Sequence, residues 1–459
     1  MPDLLDPLAS AGNADSLVGD EAWLRACIEV EVALVHALHS QQLVSPTSTE
    51  IADGLLRANI DVDTIAIASR GGGNPIIPLV KALGELADAA SPGASDDLHV
   101  GATSQDILDS ATMVVAGRVI AQVERDLAGT IRLLARIAEL NRATPMAGRT
   151  LGQHASPVTF GLVVSGWLDG LLAARAQLAS VGSRLPVQYG GAVGSRAILR
   201  ERARQRRPDV DADEVVASVS TFLATRLGLR DATPWQSNRM PIVELGSALA
   251  AVVGAIGALA ADVNVLSRTE IAEVSERLGA GEGGSSAMPH KRNPVTSVLL
   301  VSAATRSPGL IATLFAAQVT EDQRSSGAWH AEWQTLRELE RLAIETSATA
   351  ADLAERLEVD VARMRANLDF TAGLIYSERV SAILAGSMGK DAAFQFVEES
   401  SRESIQTDRP LQVVIAGRLT GNHDDAVRSR VLAAFDPNYG LEASAAIVDA
   451  VVMRAKEIG

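Results

Sequence analysis

Residues 245–261 read Leu-Gly-Ser-Ala-Leu-Ala-Ala-Val-Val-Gly-Ala-Ile-Gly-Ala-Leu-Ala-Ala and carry no charge. Leu245, Leu249, Val252, Ile256, Leu259, Val263 and Leu266 follow one another at alternating spacings of four and three. That is a heptad seam, the mark of helices packed at shallow angles in a bundle. Pro241 suits the first turn of such a helix, where its missing N–H is no loss. No proline follows until Pro289, so the spacing predicts a helix over 241–277, roughly 55 Å long. The charge-free run is short for a bilayer and is bounded by Glu244 and Asp262. A helix buried among other helices is expected, and no membrane partner.

The rest of the chain agrees with a helical core. Of 459 residues, 47% are hydrophobic and only 3% aromatic. Such a core is made of Ala, Leu, Val and Ile, which favours close-packed helices. Further helices are predicted over 20–43, capped by Asp20, and over 106–141, 157–184 (from Pro157), 295–317 and 330–357. Leu185–Tyr189 is the best candidate strand. Breaks cluster near 71–75, 91–104, 142–156, 186–196, 231–241 and 279–294. The expected fold is all-α, with three helical parts around a central bundle of long helices. These parts are residues 1–110, 111–355 and 356–459.

The formal net charge is −15, from 41 basic and 56 acidic residues. This is the wrong sign for a nucleic-acid partner. An anionic ligand must therefore find a local basic pocket. Cys27 is the only cysteine, which excludes an intramolecular disulfide and suits a reducing cytoplasm. It is expected to be a buried small hydrophobe. Early acidic residues (Asp3, Asp6) and no basic leader give no sign of a signal peptide. Cys and His ligands do not cluster, and Gly71-Gly-Gly runs into Asn-Pro, which reads as a turn. No metal or cofactor is implied.

Three breaks hold the polar chemistry. His99-Val-Gly-Ala-Thr-Ser-Gln-Asp106 precedes a long helix. There the Thr103 and Ser104 hydroxyls can cap free N–H groups, and the helix end favours anions. Gly148-Arg-Thr-Leu-Gly-Gln-His-Ala-Ser-Pro157 is the second. Glu282-Gly-Gly-Ser-Ser-Ala-Met-Pro-His-Lys-Arg-Asn-Pro294 is the third. Its glycines allow backbone angles closed to other residues. Its prolines fix the chain on either side of Lys291. A loop of this kind can close over a small anion.

In this order, with long helices between them, the segments resemble those of the fumarase/aspartase/adenylosuccinate lyase superfamily. The third resembles its signature G-S-S-x-M-P-x-K-x-N-P, the first its H-x-G-x-T-S-x-D, the second its G-R-T-H-x-Q-x-A-x-P. The likeness spans about residues 20–450. It implies a homotetramer around a core of long helices, with each site gathered from three subunits. It implies chemistry at the carbon beta to a carboxylate, through an aci-carboxylate formed when the alpha proton moves. By position, Ser285 handles the alpha proton, with Lys291 as the rival. Lys291 and Asn293 hold the carboxylate on which charge builds, and Thr103, Ser104 and Ser286 add hydrogen bonds. Fixed donors aimed at developing charge are what such an intermediate needs. His154 either passes a proton, binds a carboxylate or makes a structural hydrogen bond. His99, Thr150 and Gln153 join the candidate substrate contacts.

Two positions depart from that pattern. A histidine is usual where this chain has Leu151, and the glutamate that pairs with it is here Val298. Both halves of one polar couple are apolar, so neither is left buried without its partner. That couple manages the proton of a poor leaving group, and Leu151 and Val298 cannot. A carboxylate nucleophile, by contrast, is ionised near neutral pH and needs no base. The 3-carboxy-cis,cis-muconate lactonizing enzymes of the superfamily add such a group within one molecule, where proximity assists. Pro234-Trp-Gln-Ser-Asn-Arg239 resembles their P-W-H-T-x-R, with Gln236 for the usual histidine. Glu321-Asp-Gln-Arg324 with Trp329-His-Ala-Glu-Trp333, and Asp436-Pro-Asn-Tyr439, resemble further segments. The resemblance implies a small tricarboxylate substrate. Arg149, Arg239, Arg292 and Arg324 are the pool of carboxylate anchors. A lyase releasing fumarate remains the nearest alternative. A non-catalytic scaffold would have no use for Ser285, Lys291 and Asn293 together.

Overall fold

The computed structural model describes residues 4–9, 11–279, 281–285, 287–288, 290–419 and 425–458. They form eighteen α-helices and four short strands. Five helices dominate: Ser104–Leu140, Phe160–Gly182, Met240–Leu266, Val295–Ala317 and Ala328–Arg356. The longest has 37 residues, about 55 Å at 1.5 Å per residue. All seven seam residues of Met240–Leu266 are buried. That helix and Val295–Ala317 are long and apolar enough to cross a membrane by length and composition. In the first, the apolar stripe lies inside the protein. The second carries Arg306 and Pro308 within it.

The seam helix ends at Leu266, eleven residues before the expected 277. Beyond it the backbone tightens, with Arg268 N–H on the Val265 carbonyl and Ile271 N–H on Arg268. Ala272 then takes a left-handed φ of 51°. The chain leaves as strand Val274–Glu276, antiparallel to Leu357–Val359.

A second correction concerns 142–159, where a break and a helix from Pro157 were expected. Strands Pro145–Thr150 and Gln153–Thr159 form an antiparallel hairpin. The helix starts at Phe160, where the Thr159 hydroxyl accepts the Leu162 N–H at 3.1 Å. The register shifts between Ala147 and Arg149. Gly148 is required at that shift, because a Cβ there would stand 2.4 Å from the Ser156 carbonyl oxygen. Leu185–Tyr189 makes only an isolated bridge, between Pro186 and Arg230. Asp20 is the first residue of its helix, not the cap. Gly19 holds the cap position, and Asp20 pairs with Arg337 at 2.6 Å.

The chain divides into two compact units, which do not follow the three successive parts expected. One holds residues 1–126, 174–254 and 302–349; the other holds 127–173, 255–301 and 350–459. The physical reason is helix length: the two ends of a helix this long pack with different neighbours. In the first unit, helix Asp20–Ser40 packs on Ala212–Leu227. Cys27 is buried there as expected, and burial pushes its thiol up to about 12. In the second unit the hairpin packs on helix Val361–Asp369. Small helices there close over Leu368, Tyr376, Val380 and Leu384.

Candidate active site

The polar motifs fall into two sets, one in each unit. In the first unit, Thr103 caps the Ser104–Leu140 helix. Its carbonyl accepts the Asp106 N–H at 2.9 Å, and the Asp106 carboxylate reaches back to the Thr103 N–H at 3.0 Å. This is the return half of a capping box. The same carboxylate accepts N–H groups from Gly190 at 2.9 Å, Gly191 at 2.8 Å and the Gln188 side chain at 2.9 Å. Burial pushes Asp106 up to about 6, against the pull of these four donors. Asp106 therefore fixes the 188–191 turn under the helix start.

The Thr103 hydroxyl accepts a hydrogen bond from Arg324 Nη2 at 2.7 Å. Arg324 also lies over the Trp329 ring, 5.9 Å from its centroid. Glu321, beside it in sequence, instead takes the Ser326 N–H at 2.6 Å. Arg324 has no carboxylate partner among the described residues, and its Nε is buried without an acceptor. Ser104, at the positive end of the same helix, is partly exposed. His99 sits at a left-handed φ of 55°, and its Nδ1 meets Glu31 Oε1 at 2.6 Å.

Arg239 is corrected from anchor to core. It is 2% exposed. It donates to Asp109 at 2.7 and 3.1 Å and to Glu332 at 3.0 and 2.6 Å. Trp329 Nε1 completes Asp109 at 3.0 Å. Two carboxylates surround this guanidinium and leave no face for a substrate. Gln236 is likewise internal, donating to the Gly191 carbonyl at 2.8 Å.

In the second unit Arg149 is also engaged. It forms two parallel bonds to buried Glu273, at 2.8 and 2.7 Å. Asn367 donates to the same carboxylate at 2.8 Å. The pair anchors the hairpin rather than offering a fork to a ligand. At the hairpin tip Thr150 and Gln153 are exposed. Between them Leu151 and Gly152 both have positive φ, 50° and 78°, as a two-residue hairpin turn requires. Leu151 is fully exposed and Val298 half exposed.

His154 is partly buried, its ring T-shaped against Phe370 at 6.0 Å between centroids, and its Nδ1 is buried without a partner among the described residues. Its pKa is lowered, by burial first and then by the Arg149 charge, against an opposing pull from Glu273. A neutral imidazole near pH 7 suits proton exchange better than holding a carboxylate.

The signature loop is tied at its neck. The Gly283 carbonyl accepts from Asn293 twice, from N at 2.9 Å and Nδ2 at 3.2 Å. Glu282 accepts from Gly279 N–H at 2.7 Å and Arg356 Nη1 at 2.8 Å. Asn293 thus has a structural bond that the sequence did not foretell. Ser285 Oγ accepts N–H groups from Ala287 at 3.3 Å and Met288 at 3.2 Å. Two donors on one hydroxyl oxygen favour negative charge there. Lys291 is exposed, and no acid pairs with it among the described residues. Ser286 lies outside the described residues. A cavity of about 200 Å³ at the root of the loop is lined by Arg277, Arg292, Asn293, Ser267, Ser275 and Glu358. Glu276 accepts N–H groups from Thr296 at 3.0 Å and Ser297 at 2.8 Å. The N-terminus of helix Val295–Ala317 is therefore filled by the chain itself, a role no sequence signal gave.

Among the described residues no three His, Cys, Asp or Glu side chains group to hold a metal ion. The first set offers the Arg324 guanidinium with the Thr103 and Ser104 hydroxyls; the second offers the exposed Lys291 and a serine hydroxyl that accepts two N–H groups.

Comparisons with known proteins follow the same line. The family model described as Lyase matches residues 14–309. The chain is 42% identical to a nitrosuccinate lyase of Streptomyces davaonensis, over 98% of this chain and 94% of that protein. It is 41% identical to a 3-carboxy-cis,cis-muconate cycloisomerase of Pseudomonas aeruginosa, over 90% and 88% of the two chains. It is also similar to the crystal structure of 3-carboxy-cis,cis-muconate lactonizing enzyme from Pseudomonas putida. The TM-score is 0.87 at 34% identity, over the whole of both chains.

Proposed function

The chain belongs to the fumarase/aspartase superfamily of lyases, and we propose that it lactonises 3-carboxy-cis,cis-muconate without a cofactor. One substrate carboxylate oxygen bonds to the beta carbon of a double bond in the same molecule. The electron pair moves into the neighbouring carboxylate as an aci-carboxylate, and a proton is then delivered to the alpha carbon. The product, 4-carboxymuconolactone, is an isomer of the substrate. In this reading Ser285 carries that proton, with Lys291 as the rival. Lys291, Asn293, Ser286, Thr103 and Ser104 meet the developing charge. Arg324 and Arg292 are the cations for the remaining carboxylates. A complete site combines the two sets of residues in an oligomer, for which the superfamily resemblance suggests a tetramer.

The observation that carries this reading is the pair Leu151 and Val298. Neither side chain can give or take a proton, so a group that leaves or attacks without proton help is the one these two positions suit. The named cycloisomerase relatives support the choice of substrate.

One observation favours a second reading: the nitrosuccinate lyase relative matches nearly the whole chain. Its substrate class would obey the same restriction. Nitrite is a weakly basic anion and departs without an acid. The C–N bond would break as the proton alpha to the carboxylate is removed, leaving an unsaturated dicarboxylate.

Three assays on the purified protein separate the readings. Loss of muconate absorbance, with neither fumarate nor nitrite formed, supports the lactonising activity. Nitrite release from nitrosuccinate with no action on the muconate assigns the second. Fumarate release from adenylosuccinate would overturn the restriction on the leaving group. It would hand the acid role to an imidazole–carboxylate couple elsewhere, that of His99 and Glu31.

A further inference from the structure

We propose that Glu31 is a positioning residue for the active site, holding His99 as a cationic donor whose outward Nε2–H anchors a substrate carboxylate. The substrate class rests on the reading above; the coupling of the two residues does not.

Glu31 lies on helix Asp20–Ser40, among the buried side chains of Cys27, Ile28, Val30 and Leu34. It is 1% exposed. Its Oε1 meets His99 Nδ1 at 2.6 Å, and its Oε2 is buried without a partner. The imidazole is the one charged partner this carboxylate has among the described residues. A carboxylate so enclosed is costly unless its partner is charged and hydrogen-bonded. Glu31 also acts one turn back, where its charge adds to burial in raising the Cys27 thiol.

The backbone supports the same contact. His99 holds a left-handed φ, a conformation that a residue with a Cβ adopts at a cost. Gly101 follows at a φ of 70°. Between them the Val100 carbonyl accepts the hydroxyl of buried Tyr189 at 3.0 Å. The turn is thus locked in the form that aims Nδ1 at Glu31. The other ring nitrogen has no protein partner among the described residues, and the side chain is 23% exposed. Four residues on, Thr103 carries Arg324.

The charged groups acting on the ring are Glu31 and Asp106. Burial lowers the His99 pKa, but the charge and hydrogen bond of Glu31, with the charge of Asp106, raise it overall. The ring therefore keeps both protons further toward neutral pH than a free histidine. With Nδ1–H bound inward, Nε2–H is a charge-assisted donor fixed in direction.

The test begins without substrate. The imidazole of His99 is titrated by NMR, in the wild type and in Glu31→Gln, which keeps an acceptor but removes the charge. We expect the His99 pKa to fall by at least about one pH unit in the variant. On whichever substrate is turned over, KM should rise about tenfold near neutral pH with kcat within about twofold. Glu31→Asp should recover part of the loss. An unchanged titration overturns the coupling. A lowered pKa with KM and kcat both unmoved makes the couple a core contact and overturns the anchor. Should Glu31→Gln not fold, the wild type still decides. KM must climb as pH passes the His99 pKa seen by NMR, and a KM indifferent to that titration overturns the proposal.

Discussion

Arg324 donates to the Thr103 hydroxyl at 2.7 Å and meets no carboxylate among the described residues, whereas Arg239 lies between two. The same residue type thus serves two opposite ends. A guanidinium enclosed by Asp109 and Glu332 holds helices together. One propped by a neutral hydroxyl and an indole ring keeps an unneutralised charge, which in the reading proposed above meets a substrate carboxylate. Substitution separates these roles, because one is read in binding and the other in unfolding.

Arg324→Gln should leave the fold nearly intact and weaken substrate binding. Loss of a charged hydrogen-bonding partner costs about 1.5–3 kcal/mol, roughly a ten- to hundredfold fall in kcat/KM. Steady-state kinetics beside a thermal melt decides it. A large drop in melting temperature with unchanged kinetics would make Arg324 another core arginine.

Arg239→Ala should do the reverse of that. It strands Asp109 and Glu332 in the interior, and breaking a buried ion pair costs about 3–5 kcal/mol. Denaturant unfolding should show the loss, together with a reduced yield of folded protein. A stable Arg239→Ala protein with a raised KM would restore Arg239 to the list of anchors.

Ser285→Ala should lower turnover by about 10²–10⁴-fold, the range for removal of a proton-transfer group. Among the described residues its hydroxyl accepts two long bonds, both within its own loop, so stability should shift by less than about 0.5 kcal/mol. Turnover within a few-fold of wild type would pass the proton to Lys291.

These contrasts mark where sequence reading reaches and where it stops. The seam from Leu245 to Leu266 was legible because every third or fourth residue is a buried aliphatic. The end of that helix was not, since nothing in Ser267–Ala272 forbids a helix. It is stopped by pairing with Leu357–Val359, some eighty residues away. The 145–159 hairpin was hidden because Gly148, Gly152, Ser156 and Pro157 interrupt any alternation of large apolar residues. Its turn even places Leu151 where asparagine or glycine is usual. Resemblance to the superfamily's segments singled out Thr103, Ser285 and Arg324 as candidates. It gave charges but not partners, so Arg149 and Arg239 read as free. Their acids, Glu273, Asp109 and Glu332, lie 124, 130 and 93 residues from them. Glu31 drew no notice at all, because one acid in an apolar helix has no signature until His99 is beside it.

A last consequence concerns pH. Glu340 on helix Ala328–Arg356 is fully buried, and among the described residues neither of its oxygens has a hydrogen-bond partner. Burial pushes its carboxyl from 4.5 up to about 8, against the weaker pull of the Arg337 charge. The folded pKa is thus raised above the unfolded one. Below 4.5 both states hold the proton and the stabilising term is fully present. As pH climbs, the unfolded chain releases its proton first and stability falls, until the folded group ionises near 8. Glu340→Gln cannot ionise and should be spared this loss. Its stability relative to the wild type, from denaturant unfolding across a pH series, should improve steadily from about pH 5 to pH 8. The buried amide adds an offset that does not vary with pH, so the slope is the quantity to compare. A difference that stays flat across that range would show that the Glu340 carboxyl does not titrate between the two states.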